Sequence, residues 1–155
     1  MAAPQPSLKG RALRCLAARE HSRAELQRKL APYEEEPGQI DRVLDELQAK
    51  GFISEERVAA SLLHRRAARL GDLRIRQELQ SKGLDAPTVA QALEQLRGTE
   101  RERAQVVWQR KFGTPAQDAR ERARQMRFLL ARGFSADVVR RVVQGGAGPD
   151  PDTET

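Results

Sequence analysis

The chain has 155 residues and a formal net charge of +6, with 39% hydrophobic and only 4% aromatic residues. This apolar content is low for one thick core and favours a compact domain or short array built from thin layers of helices. No stretch approaches the roughly 18 apolar residues of a membrane span, and the N-terminus lacks an apolar signal core. We therefore expect a cytoplasmic protein without membrane contact, in which the single cysteine, Cys15, is structural.

Helix-forming residues are abundant, and no window alternates apolar and polar residues over the length of a strand. This pattern predicts an all-α protein. Helix start and stop signals divide it into three tandem three-helix repeats, at 7–50, 54–97 and 99–144. Residues 145–155 are rich in Gly, Pro and Asp, which predicts a disordered tail.

The first repeat begins with Ser7 as the cap of a helix that runs to about Arg19. Ser22 and Glu25 then have the spacing of a capping box. The third helix runs from about Gln39 to Lys50. In the second repeat, Ser54 caps a helix that we expect to reach Leu70. Its second helix is predicted at 73–82, and its third begins after the cap residue Asp85.

The third repeat begins with another predicted capping box, Thr99–Glu102, which opens a helix carrying Trp108. The segment Thr114–Gln117 has the cap, proline and glutamine of a further helix start. That helix is predicted to run to residue 132 with Leu130 facing inward. Ser135 caps the last helix.

Two segments repeat in register, LQSKGLDAPTVAQAL at 79–93 and LLARGFSADVVRRVV at 129–143. They align Lys82 with Arg132 and Gly83 with Gly133, so a basic residue, a glycine, an apolar residue and a cap connect two helices in each. A repeat of roughly 46–51 residues indicates stacked supersecondary units. Because such short helices are marginal alone, the repeats must pack on one another. We expect an elongated, curved array.

Positive charge is concentrated in two places. Residues 57–77 contain six arginines against Asp72 alone, and residues 100–144 contain eleven basic against five acidic residues. Arginine suits phosphates and carboxylates, so this excess favours a surface that binds nucleic acid or acidic protein. Coding bias explains the arginine-to-lysine ratio equally well, but not where the charge lies. The third-repeat cluster fits a solvated helix face as well as a binding face.

The sequence contains little that would support a catalytic function. His21 and His64 have no second ligand nearby, and no nucleophile, phosphate-loop or metalloprotease motif is present. We therefore expect no enzyme activity, cofactor or metal site. Trp108 and Phe112 could stack on bases, although their helical spacing favours a place in the core.

The central sequence resembles the RecX family of bacterial regulators of the RecA recombinase. Three segments carry the resemblance: VLDELQAKGFISEERVAASLLHRRAARLG at 43–71, GDLRIRQELQSKGL at 71–84 and FLLARGFSADVVRRVV at 128–143. The chain departs from the family at Val58, where phenylalanine is common, and at Glu55 or Glu56, where aspartate is common. Both replacements are compatible with packing and capping, and the first repeat matches weakly.

The resemblance implies a monomeric regulator that binds the RecA–DNA filament and inhibits recombinase and coprotease activity, affecting DNA repair and the SOS response. It implies weak or filament-mediated contact with DNA phosphates. Matched basic positions are Arg74, Lys82 and Arg132; charge alone adds the candidates Arg65, Arg66, Arg69, Arg76, Arg110 and Lys111. The alternatives are a free-standing helical DNA-binding module or transcriptional regulator, and a pure protein-interaction scaffold.

Overall fold

A computed structural model describes residues 4–145, in which helices are joined by turns and short loops and no strand is present. The predicted disordered tail lies outside this part except for Gly145. The described helices are α1 (Leu8–Ala18), α2 (Arg23–Leu30), α3 (Gln39–Ala49), α4 (Glu55–Arg66), α5 (Asp72–Ser81), α6 (Ala86–Gln95), α7 (Glu100–Lys111), α8 (Ala119–Ala131) and α9 (Ala136–Gly145). A short 3₁₀ turn, Ala31–Tyr33, follows α2. The all-α prediction, with three consecutive helices per repeat, is therefore confirmed.

The chain forms two compact units. Among the described residues, unit 1 comprises 4–63 and 78–92, and unit 2 comprises 64–77 and 93–145. Helices α1–α3 belong to unit 1 and α7–α9 to unit 2, whereas α4, α5 and α6 each contribute residues to both. The second repeat is therefore shared between the two units.

Unit 1 has a small aliphatic core formed by Ala12, Leu26, Leu30, Ile40, Leu44, Leu47 and Ile53. The predicted capping box at the start of α2 is present. The Ser22 hydroxyl accepts from the backbone N–H of Glu25 at 3.1 Å, and the Glu25 carboxylate accepts from the N–H of Ser22 at 3.2 Å. These bonds satisfy two backbone donors that the helix itself leaves without partners.

Unit 2 has its own core, formed by Ala104, Trp108, Leu129, Phe134, Val139, Val142 and Val143. Trp108 is only 1% exposed and donates its indole N–H to the side-chain oxygen of Gln125 at 2.9 Å. Its predicted place in the core is confirmed. The prediction for Leu130 is wrong, because this side chain is 43% exposed, while Leu129 is buried.

The repeated turn makes the same kind of contact in each unit. In unit 1, the carbonyl of Lys82 accepts a hydrogen bond from the Ser22 hydroxyl at 2.5 Å. In unit 2, the carbonyl of Arg132 accepts from the backbone N–H of Gly71 at 2.9 Å. Ser22 and Gly71 each precede the second helix of their own repeat. In each case this residue binds the turn between the second and third helices of the next repeat. The glycines recur at 83 and 133 because a Cβ there would collide with Ala24 and Arg74, respectively.

Helix α4 ends four residues before its predicted end. It was expected to reach Leu70 but stops at Arg66, and residues 67–70 form turns. The carbonyls of Ala67 and Leu70 instead accept hydrogen bonds from the Arg103 guanidinium, at 3.1 and 2.5 Å. A charged, multi-donor partner replaces the helical bonds that these carbonyls would otherwise accept.

In the third repeat, the predicted capping box at Thr99 and the predicted helix start at Thr114 are wrong, although α7 does begin directly after Thr99. Thr99 makes no side-chain cap, because its hydroxyl donates to the Leu96 carbonyl at 2.6 Å and accepts from Arg103 at 3.0 Å. Helix α8 does not begin at Thr114 but after Asp118, whose carboxylate accepts from the N–H of Glu121 at 2.8 Å. The Thr114 carbonyl is bound by the Gln125 amide at 3.1 Å, which holds that segment as a loop beside α8.

Candidate basic binding surface

The net positive charge belongs entirely to unit 2. Unit 1 contains eleven basic and twelve acidic side chains, which nearly cancel. The described part of unit 2 contains seventeen basic and seven acidic side chains. Such an excess attracts phosphates and carboxylates over distances up to about 10 Å at moderate salt.

Eight of the nine candidate residues from the sequence lie in unit 2. Arg65, Arg69, Arg74, Arg76, Arg110 and Lys111 are exposed, while Arg66 and Arg132 are half-buried. We call the six exposed cations the basic surface. Within residues 4–145, the guanidinium groups of Arg69, Arg74, Arg76 and Arg110 have no ion-pair or hydrogen-bond partner. Their donors are available to a ligand.

Lys82 is the ninth candidate, and it lies in unit 1 with a different environment. Its ammonium group is 3.2 Å from the Glu25 carboxylate, and its side chain is only 18% exposed. Burial raises the pKa of Glu25, but hydrogen bonds from Arg19, the Ser22 N–H and Lys82 outweigh that effect and lower it to about 2. Lys82 therefore neutralises a buried carboxylate that also caps α2.

Arg103 holds together the segment that carries part of the basic surface. Besides the two carbonyls in residues 67–70, its guanidinium contacts the Asp72 carboxylate, and its side chain is only 11% exposed. The segment between α4 and α5, which includes Arg69, is thereby fixed to α7. Sequence reasoning placed Arg103 in a general cluster of charge, and no local spacing signals its partners at 67–72.

A carboxyl pair lies beside this arginine. One oxygen of Glu100 accepts from the backbone N–H of Ser135 at 2.7 Å, and the carboxyl group of Asp72 is close enough to perturb that of Glu100. Burial raises the pKa of Glu100, and the neighbouring Asp72 raises it further, against the opposing effects of the Ser135 N–H and Arg103. The cluster joins the starts of α5, α7 and α9.

Two glycines bring Arg74 next to Arg132. Gly133 has φ +88°, and a Cβ built on it would stand 2.6 Å from the backbone nitrogen of Arg74. The N–H of Leu73 donates to the Gly133 carbonyl at 3.2 Å. A Cβ on Gly71 would in turn overlap the backbone of Gly133 and Phe134. Only glycine permits this approach, which places two family-matched arginines on adjoining backbone segments.

Lys111 and Arg132 converge on one ring. The Lys111 ammonium nitrogen lies 5.3 Å, and the Arg132 guanidinium carbon 4.9 Å, from the centre of Phe128. Both distances are within the range of cation–π attraction. Among the described residues, Arg76 and Arg110 make no ion pair or cation–π contact that would join them to this pair. Within residues 4–145, no cluster of His, Cys, Asp and Glu could hold a metal ion, and no helix could span a membrane.

The fold and its charge define an all-helical protein of three tandem three-helix repeats with one strongly basic unit. The chain matches the first three-helix domain of RecX over residues 9–47, the second over 54–93 and the third over 99–143. It therefore belongs to the RecX family, as the sequence segments predicted.

Similar proteins agree with this assignment. The chain is 63% identical to regulatory protein RecX of Leptothrix cholodnii, covering 91% of this chain and 90% of that protein. It is 49% identical to regulatory protein RecX of Ralstonia nicotianae, covering 94% and 92%. Two solved structures share the fold. A regulatory protein RecX has a TM-score of 0.74 at 21% identity, covering 89% of this chain and 71% of that one. RecX from Lactobacillus salivarius has a TM-score of 0.73 at 20% identity, covering 89% and 93%.

Proposed function

We propose that this protein is a regulator that binds the RecA–DNA filament through the basic surface of unit 2 and inhibits the recombinase and coprotease activities of RecA. It acts by binding, without catalysis, and so influences DNA repair and the SOS response. Family membership supports the regulatory role. The proposed surface rests on four exposed arginines whose guanidinium groups have no ion-pair partner in the described part of unit 2: Arg69, Arg74, Arg76 and Arg110.

The chemistry of the proposed ligand matches the arginines of the basic surface. A nucleoprotein filament presents DNA phosphates, and arginine binds phosphate and carboxylate oxygens through paired N–H donors. Arg69 lies within the segment that Arg103 fixes and Arg74 lies two residues beyond it, so their backbone positions are set before binding. Pre-organisation of this kind reduces the entropy lost on association.

The direct test measures RecA ATPase, DNA strand exchange and filament length with increasing amounts of the protein. We expect all three to fall. The double variant Arg69→Glu with Arg74→Glu should inhibit at least about tenfold less, since each reversal exchanges an attraction for a repulsion. The remaining inhibition should weaken further as salt rises.

A matched control reverses the same number of charges in unit 1. Arg14 and Arg42 are both exposed, and the variant Arg14→Glu with Arg42→Glu has the same net charge as the first. It should inhibit nearly as well as the natural protein. Equal losses in the two variants would show that total charge, rather than this surface, determines binding. Unchanged RecA activity with the natural protein would refute the proposal.

A further inference from the structure

Two phenylalanines form a half-exposed aromatic pair in unit 2. Phe112 ends α7 and Phe128 lies on α8, and their rings meet edge to face with centres 5.5 Å apart. Both side chains pack against the unit 2 core without being buried in it. A pair that served only to fill the core would be more completely covered, as Trp108 and Phe134 are.

Three cations surround this pair. Lys111 and Arg132 lie over Phe128, and the Arg124 guanidinium carbon is 5.8 Å from the centre of Phe112. Among the described residues these three side chains make no ion pair. Each is therefore held near a ring by a weak cation–π attraction and can turn to a stronger anionic partner without breaking a salt bridge. We call these five residues the aromatic–cation cluster.

A shallow groove of about 220 Å³ adjoins Phe112, and Thr114, Pro115 and Arg124 also line it. Its volume is below the roughly 300–1,000 Å³ of pockets that enclose drug-sized ligands. The groove can accept one flat group beside a ring, but not a larger compact molecule. The carboxylate of Glu121, which also borders it, accepts from the N–H of Gln117 at 2.8 Å and belongs to the loop.

We propose that the aromatic–cation cluster is a subsite for single-stranded nucleic acid, in which an unpaired base stacks on Phe112 or Phe128. Lys111, Arg124 and Arg132 then bind the adjoining phosphates. Aromatic rings that alternate with cations provide the two interactions that sequence-tolerant single-strand binding requires. A paired base inside a duplex has no free face to offer, so the subsite favours single strands. This binding needs no RecA and can fail or succeed independently of the filament proposal.

The test uses a fluorescently labelled oligo(dT) and an abasic oligonucleotide of the same length and charge, without RecA. Fluorescence anisotropy should show that the natural protein binds oligo(dT) about 5- to 150-fold more tightly than the abasic strand, the range expected for one stacked base. A duplex of the same length should bind less tightly than oligo(dT).

Substitution then locates the effect. The variant Phe112→Leu with Phe128→Leu retains apolar bulk but loses the aromatic faces, so its preference for oligo(dT) over the abasic strand should disappear. Phe112→Tyr with Phe128→Tyr should retain that preference. Phe52→Leu removes an exposed aromatic side chain from unit 1 and is the control. This control should bind oligo(dT) and the abasic strand with the affinities of the natural protein.

Salt separates stacking from phosphate contact. The leucine variant should keep the salt dependence of the natural protein, whereas Lys111→Gln should reduce the slope of log K against log salt by about 0.7. Equal affinity of the natural protein for the abasic strand and oligo(dT) would overturn the proposal, whatever the variants do. A preference that persists in a folded leucine variant would also overturn it.

Discussion

Gly133 and Arg74 approach so closely that a Cβ on the glycine would stand 2.6 Å from the arginine's backbone nitrogen. The contact joins the α8–α9 turn to the first turn of α5 within unit 2. Two constraints therefore act on Gly133, a left-handed backbone and the absence of space for any side chain. The first alone costs a non-glycine residue about 1–2 kcal/mol, and the second adds to it.

Substitution of two glycines separates these constraints. Gly98 has a similar left-handed backbone, with φ +78°, but nothing lies within 4 Å of its hypothetical Cβ. Gly98→Ala should lower the free energy of unfolding by about 1 kcal/mol. Gly133→Ala should lower it by about 2 kcal/mol more, because backbone atoms must move apart. Urea unfolding measures both, and equal losses would show that the contact with Arg74 contributes nothing.

The Arg103 guanidinium has three acceptors in the segment 67–72, so a second prediction concerns its geometry rather than its charge. Arg103→Lys keeps the charge, but a single ammonium group cannot reach all three acceptors. We expect a loss of about 2–4 kcal/mol in the free energy of unfolding, since buried partners remain unsatisfied. Amide hydrogen exchange in residues 67–72 should also become faster.

Arg110→Lys is the matched control for this change. Arg110 lies on the same helix, is exposed, and makes no ion pair among the described residues. Its replacement should alter stability by less than about 0.5 kcal/mol. If Arg103→Lys lowered the free energy of unfolding no more than Arg110→Lys does, the structure of residues 67–72 would not depend on the Arg103 guanidinium.

The start of α2 and the end of α4 differ in how far the sequence could predict them. The capping box of Ser22 and Glu25 was predictable because its partners are three residues apart and its geometry is local. The premature end of α4 was not, because its cause is Arg103, more than thirty residues away. The same arginine donates a hydrogen bond to the Thr99 hydroxyl, which therefore does not form the helix cap that the local sequence spacing predicted.

The candidate surface shows a similar division. Counting charges along the chain located the arginines that the structure places in unit 2. It could not distinguish Lys82, which is paired with a buried carboxylate, from Arg132, which lies over a ring. Both residues follow the same repeat pattern, and only their non-local neighbours differ. The role of Phe128 was missed because its partner, Phe112, is sixteen residues away on another helix.

The carboxyl group of Glu100 gives a third prediction, on pH. Its pKa is raised in the folded state, mainly by burial. The folded protein therefore binds this proton more tightly than the unfolded chain, and the associated stability is present at pH values below about 4.5. That stability is lost as pH rises from there through the folded-state pKa.

Glu100→Gln should remove this dependence. The glutamine oxygen can still accept from Ser135, and its amide can donate to Asp72 without carrying charge. We expect the thermal midpoint at pH 7 to rise by a few degrees, and stability to depend less on pH between 4.5 and 7. Glu102→Gln, at an exposed position on the same helix, is the control. A lower midpoint in Glu100→Gln would contradict the prediction.

A fourth prediction compares the matched repeat positions Lys82 and Arg132. In Lys82→Met, the buried Glu25 carboxylate loses one of its stabilising hydrogen bonds. The free energy of unfolding at pH 7 should fall by about 2 kcal/mol, the cost typical of a weakened buried charge. Arg132→Met removes only an aromatic contact and should change stability by less than about 1 kcal/mol.

The pH dependence distinguishes the two variants further. The pKa of Glu25 is lowered to about 2, so its contribution to stability is present above pH 4.5 and is lost as pH falls towards 2. Because Lys82 supports the charged form, Lys82→Met should reduce the loss of stability between pH 4.5 and 2, whereas Arg132→Met should leave it unchanged. RecA inhibition should respond in the opposite order, with the greater loss in Arg132→Met once both proteins are confirmed as folded. A larger functional loss in a folded Lys82→Met would place this lysine at the partner surface instead.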